Sequence, residues 1–134
     1  MIPDWPPGTV AVLATAGPFA IPVSTALRVG PSEVLFALAP GRGSLARLRA
    51  DPRCALTVMG EGIAVTLRGR ASEAGEAAGT VALRLEVEGV DDHRTPAFEM
   101  EAGVRWRWVS KEASRRDEAV RAALRELSGD VDAI

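Results

Sequence analysis

Short apolar runs punctuated by glycine and proline fill the first half of the chain, and they predict a succession of strands. Val10-Ala-Val-Leu-Ala-Thr15 is a compact apolar run with β-branched residues, the signature of a buried strand. Ala16-Gly17-Pro18 is a turn signal, and a second strand follows over about residues 20–29. Gly30-Pro31-Ser32 closes that strand, and Glu33–Leu38 makes a third, so the chain opens with a three-stranded meander. Residues 1–8 read as a Pro/Gly-rich lead-in.

The period then changes. Pro40-Gly-Arg-Gly-Ser44 leads into Leu45-Ala-Arg-Leu-Arg-Ala50, a short helix with Leu45 and Leu48 on one face and Ser44 placed as its N-cap. Pro52 ends the helix by excluding Asp51 from the helical region. A fourth strand runs over roughly 53–59, and a fifth over 63–73 with Thr66, Arg68 and Arg70 on one face. Ala74–Gly79 reads as a small-residue loop. Val81, Leu83, Leu85 and Val87 alternate with Ala82, Arg84, Glu86 and Glu88, the period of a half-buried strand. Residues 91–103 are irregular, and Arg105-Trp-Arg-Trp-Val109 alternates again with Trp106 and Trp108 on one face. Ser114 and Asp117 have the spacing of a capping box, after which Val120, Leu124 and Leu127 mark an amphipathic C-terminal helix stopped by Gly129.

Most of the connections are too short for parallel crossovers, which need a dozen or more residues. The expected fold is therefore mainly β: a small closed or nearly closed barrel of six to seven antiparallel strands, with a short mid-chain helix and a C-terminal helix, as a single domain over residues 1–134.

Composition narrows the class. A chain of 134 residues with 47% hydrophobic and 25% charged residues can bury a core without metal or disulfides. One cysteine, Cys54, excludes an internal disulfide, and with a single histidine the common structural zinc sites are excluded too. No apolar stretch approaches the roughly 20 residues that span a bilayer, and the N-terminus lacks the basic and apolar regions of a signal peptide. A net charge of −2 and a pI near 5.5 argue against general nucleic-acid binding. The expectation is a reduced, cytoplasmic protein with neither membrane nor nucleic-acid partner.

Side-chain catalysis finds little support. His93 is the sole imidazole, and no Gly-x-Ser-x-Gly elbow presents a nucleophile. Asp91-Asp92-His93 reads as a solvated loop, since adjacent residues point in different directions, and no metal site is assigned. Cys54 opens an apolar strand and reads as a small buried hydrophobe. The segment 41–53 differs. Gly41-Arg42-Gly43-Ser44 immediately precedes a helix, where free N–H groups and the dipole favour an anion, and Arg42 and Arg47 bring positive charge. Taken locally, the same residues also describe an exposed Arg-rich helix.

The order of elements adds to this. The runs Ala20-Ile-Pro-Val-Ser-Thr25, Arg42-Gly-Ser-Leu-Ala-Arg-Leu-Arg-Ala-Asp-Pro-Arg53, Ala55-Leu-Thr-Val58 and Thr66-Leu-Arg-Gly-Arg-Ala71 follow Val10–Thr15 in a fixed sequence. Over residues 9–73 the chain resembles the pyridoxamine 5′-phosphate oxidase-like family of FMN-binding split barrels. The resemblance implies a homodimer with two flavin mononucleotides at the subunit interface, acting as an oxidoreductase on an unidentified small molecule. By position, the backbone of Pro22, Val23, Ser24 and Thr25 would edge the isoalloxazine ring, and Leu38 and Ala39 would flank it. Arg42, Ser44 and Arg47 would hold the phosphate, and the second subunit would close the site with Trp106 or Trp108, residues that otherwise read as core or interface packing. The Ser-Arg-Lys that family members often carry before the short helix is absent, because no lysine stands there. The deazaflavin F420 on the same barrel, or a non-enzymatic flavin- or haem-binding module, are the alternative readings.

Overall fold

A computed structural model of the chain describes residues 2–129; Met1 of the expected lead-in and the last five positions of the expected domain span lie outside them. Nine elements follow one another. They are β1 (Ala11–Thr15), β2 (Phe19–Val23), β3 (Leu27–Arg28), β4 (Glu33–Leu38), α1 (Gly43–Ala50), β5 (Arg53–Gly60), β6 (Ile63–Ala77), β7 (Thr80–Asp92) and α2 (Lys111–Ser128). The strands form one antiparallel sheet in the order β2-β1-β5-β6-β7-β4-β3.

That order forces the sheet to curl. β2 and β3 are its two edges, yet only Ser24, Thr25 and Ala26 separate them in sequence. Four residue steps from Val23 to Leu27 reach at most about 14 Å. Six interstrand spacings in a flat sheet would put the edges about 29 Å apart. The sheet must therefore roll until its edges nearly meet, which gives a split barrel: the edges face one another without a ladder between them.

Two glycine-bearing irregularities let the long hairpin follow the curve. β6 and β7 shift register between Arg68 and Gly69 and again between Glu73 and Gly75, the kind of bulge that bends and twists a strand. At Gly69 a Cβ would overlap the Glu86 carbonyl on the neighbouring strand, so no other residue fits without displacing backbone. Ala78 and Gly79, both at positive φ, close the hairpin in two residues, as the tight turn demands.

Burial follows the strand period. Ala11, Leu13, Leu56, Val58, Leu67, Leu83, Leu85, Val34, Phe36 and Leu38 point into the roll, joined by Leu45 and Leu48 from α1. On the outer side α2 lays Val120 and Leu124 over Leu35, Ala77 and Ala82, so β4 is covered on both faces.

Several boundaries differ from the sequence reading. The second strand breaks at Ser24–Ala26, where the chain crosses from one sheet edge to the other. β6 continues through Ala74–Ala77, expected as loop, because Thr80–Ala82 pair with it. Residues 105–109 alternate in polarity but form no strand, since all of them are exposed and no ladder partner flanks them. The N-cap of α1 is Arg42, not Ser44, which lies buried inside the helix; that of α2 is Ser110, whose hydroxyl accepts from the Ala113 N–H. The lead-in is part of the core. Ile2 and Trp5 are buried, and the Trp5 indole N–H donates to the Ala26 carbonyl at 2.9 Å.

Replacing Gly69 by alanine is expected to cost about 3 kcal/mol or somewhat more in urea unfolding, the upper end for steric overpacking because the clash is with backbone. Gly60→Ala, where an added Cβ meets nothing within 4 Å, should leave the midpoint within about 0.5 kcal/mol of the parent.

Candidate functional site

The split places together most of the residues singled out from the sequence. β2 is an edge strand, so one side of its backbone is unpaired. Pro22 is exposed there, whereas Val23 turns into the core. Ser24, Thr25 and Ala26 leave the sheet, and each is held from a different element. The Ser24 hydroxyl donates to Asp117 of α2 at 2.7 Å, Thr25 Oγ1 accepts from the Ala37 N–H of β4 at 3.0 Å, and the Ala26 carbonyl takes the Trp5 indole. The side chains of Val23, Ser24, Thr25 and Leu38 are thus committed inside the protein. What this stretch offers a ligand is backbone, with the exposed Pro22 and Ala39 beside it.

α1 starts four residues beyond Ala39, past Pro40-Gly41-Arg42. No side chain caps its first turn, and no acidic residue occupies it. Its free N–H groups therefore present uncompensated partial positive charge. The four arginines of this segment divide into two kinds. Arg49 pairs with Glu73 and Arg53 with Asp51, each at 2.7 Å. Arg42 and Arg47 pair with no carboxylate among the described residues. The Arg47 guanidinium lies 3.6 Å from the centre of the Phe19 ring, and a Cβ at Gly43 would come within 3.4 Å of it. Phe19 escaped the sequence reading, although an exposed aromatic opening an edge strand is a visible signal. Ser44 is buried in α1, so at most its backbone N–H faces outward.

These features fit a phosphate: an open helix N-terminus, small residues at Gly41 and Gly43, and two arginines without a carboxylate among the described residues. Paired arginines on the same surface would have to surrender a carboxylate first. The Arg53 guanidinium and N–H hold the Asp51 carboxyl down to about 2, so Asp51 is charged at neutral pH and answers Arg53.

Other sequence-selected groups lie elsewhere. Trp106 stacks edge-on with Trp108, their ring centres 4.5 Å apart, and both are exposed. Their segment follows Gly103, which packs on the Met59 carbonyl at the β5–β6 turn, the opposite end of β5 from α1. An open cleft of about 740 Å³ is lined by Glu61, Arg94, Pro96, Phe98 and Met100, none of them a residue of the split. Asp91, Asp92 and His93 do not converge. Asp91 pairs with Arg68 and Asp92 with Arg94, while His93 Nε2 lies 2.7 Å from Thr66 Oγ1, itself 2.9 Å from Thr57 Oγ1. Asp91 and Asp92 end β7 and do not stand in a loop. Among the described residues no three His, Cys, Asp or Glu side chains gather as a metal site, and no helix is long and apolar enough to cross a membrane.

No protein-family model and no curated protein matches the sequence. Solved structures do match it in shape. A Listeria innocua protein named for pyridoxamine 5′-phosphate oxidase superposes with a TM-score of 0.54 at 13% identity, covering 65% of this chain and 90% of its own. A FAD-binding protein from Mesorhizobium loti gives 0.52 at 20% identity, over 61% and 83%. An F420 reductase gives 0.53 at 14% identity, over 63% and 90%. The chain has the pyridoxamine 5′-phosphate oxidase-like split-barrel fold.

Within that fold Cys54 is structural. Burial pushes its thiol up to about 11, so at neutral pH it is protonated and a poor nucleophile. Ellman's reagent at pH 8 should leave the native protein unlabelled and titrate one thiol per chain in guanidinium chloride.

Proposed function

We propose that this chain is a homodimeric FMN-binding protein of oxidoreductase type, acting on a small molecule. The observation that carries the reading is the division of the arginines: beside an uncapped helix N-terminus, Arg42 and Arg47 stand without a carboxylate among the described residues while Arg49 and Arg53 are neutralised. A ribityl phosphate supplies the missing anion, and from there the ring would lie along the free edge of β2, against the backbone of Pro22–Thr25 and beside Leu38 and Ala39. The bound flavin would supply hydride or electron transfer; the protein positions it and shapes access.

Dimerisation is supported by the surface. The outward residues of β1 and β5 are Val12, Ala14, Arg53, Ala55, Thr57 and Met59; apart from Arg53 at one end, which pairs with Asp51, this is an uncharged sheet face, and no helix lies over it among the described residues. The exposed Trp106 and Trp108 are a second unpartnered apolar feature, available to close a site across such a dimer. F420 remains the second reading, favoured by the F420 reductase that shares the fold. It too carries phosphate, so the arginines do not separate the two.

The test is the visible spectrum of the purified protein, before and after addition of FMN and removal of the excess, with F420 added in parallel. A retained flavin band is expected. Arg42→Ala with Arg47→Ala should weaken FMN binding at least about 100-fold, two charge-assisted hydrogen bonds' worth, while Arg49→Ala leaves it nearly unchanged. A colourless protein that takes F420 but refuses FMN would transfer the site to the deazaflavin. Refusal of both would overturn the reading.

A further inference from the structure

Asp117 is an acid in an unusual place. Its side chain is 5% exposed on α2, and both carboxylate oxygens are used. One accepts from Ser24 Oγ at 2.7 Å, the other from Arg121 Nε one turn along the helix at 2.8 Å. A carboxylate this deep is tolerated only when paired and hydrogen-bonded. The Ser24 bond joins residues 93 apart in sequence. The other buried α2 side chains, Val120 and Leu124, make apolar contacts with the sheet, which hold α2 close without fixing its register. The Asp117–Ser24 bond is directional, and it falls on the three-residue bridge between the sheet edges.

We propose that Asp117 is a positioning residue for the cofactor: through Ser24 it fixes the backbone of Pro22–Thr25 along which the flavin ring lies. The proposal rests on the flavin reading above. Thr25 and Ala26 are anchored to β4 and to Trp5, so loss of the Asp117 bond would loosen the bridge on its β2 side, where the ligand edge is, and leave the far side tied.

A double-mutant cycle separates this role from a general need for α2. FMN affinity is measured for the parent, Ser24→Ala, Asp117→Ala and the double variant, with thermal melts of each. Each single change should weaken FMN about ten-fold, and the double should weaken it no further, because both cut one bond. Asp117→Ala strands Arg121 and could fail to fold. Asp117→Asn keeps an acceptor for Ser24 and should bind FMN within about three-fold of the parent. Amide exchange across Val23–Ala26, read without cofactor, should speed up in Ser24→Ala and stay near the parent's rate in Asp117→Asn. Roughly hundred-fold loss in the double variant, parent-like affinity in Ser24→Ala, or unchanged exchange there would each overturn the proposal. If the parent itself binds no FMN, the flavin reading fails, and the exchange rates alone decide whether Asp117 fixes the bridge.

Discussion

Three residues, Ser24, Thr25 and Ala26, carry the constraint on which the rest of the structure depends. They join the two edges of a seven-stranded sheet, and their short reach is what rolls the sheet. Having left the ladder, they are tied instead through two side-chain hydroxyls and one backbone carbonyl, and buried polar groups without partners would be costly. The partners come from β4, from the N-terminal segment and from α2. The split is thus a seam tied from three sides. Its edge offers unsatisfied backbone to a ligand because the ladder stops there, and it keeps its shape because the ties do not.

Much of the fold was legible because strand burial has a period of two. Leu83 and Leu85 face the core and Arg84 and Glu86 do not, and no other arrangement satisfies that alternation. The failures share a cause: local pattern cannot reveal a distant partner. Ala74–Ala77 is small-residue sequence that extends β6 because β7 lies beside it, with the bulge at Glu73/Gly75 breaking the phase that might have announced it. Arg105–Val109 shows strand-like alternation, but alternation without a neighbour to bond makes no strand. Ile2 and Trp5 lie among prolines and read as a lead-in, yet Trp5 fills the space beside the bridge.

The site shows the same division. Gly41–Arg53 could be read as a phosphate cradle from the glycines and the helix start, and the resemblance picked Arg42 and Arg47 by position, but nothing local gave a physical ground for ranking them above Arg49 and Arg53. Ranking required Glu73, on a strand 24 residues away, and the local hook of Asp51 onto Arg53. Ser24 was placed at the ring through its backbone, and its hydroxyl, which the sequence left unassigned, is bound to Asp117. Asp117 seemed part of a helix cap three residues after Ser114; it is buried instead, and Ser110 does the capping.

Relatives in shape at 13–20% identity are understandable on these terms. A rolled sheet asks of most positions only that they be apolar on one face and about the right size, so sequence can drift far while the roll persists. Ligand chemistry is held to a stricter standard and sits in fewer places. On this chain those places are recognised less by residue type than by electrical bookkeeping. Around α1, Arg49 and Arg53 are each answered by a carboxylate within 3 Å, and Arg42 and Arg47, like Arg28, Arg105, Arg107, Arg115 and Arg125 elsewhere, pair with none among the described residues. A guanidinium left unanswered beside an open helix end, next to a backbone edge left unpaired, is a local incompleteness that folding alone does not require.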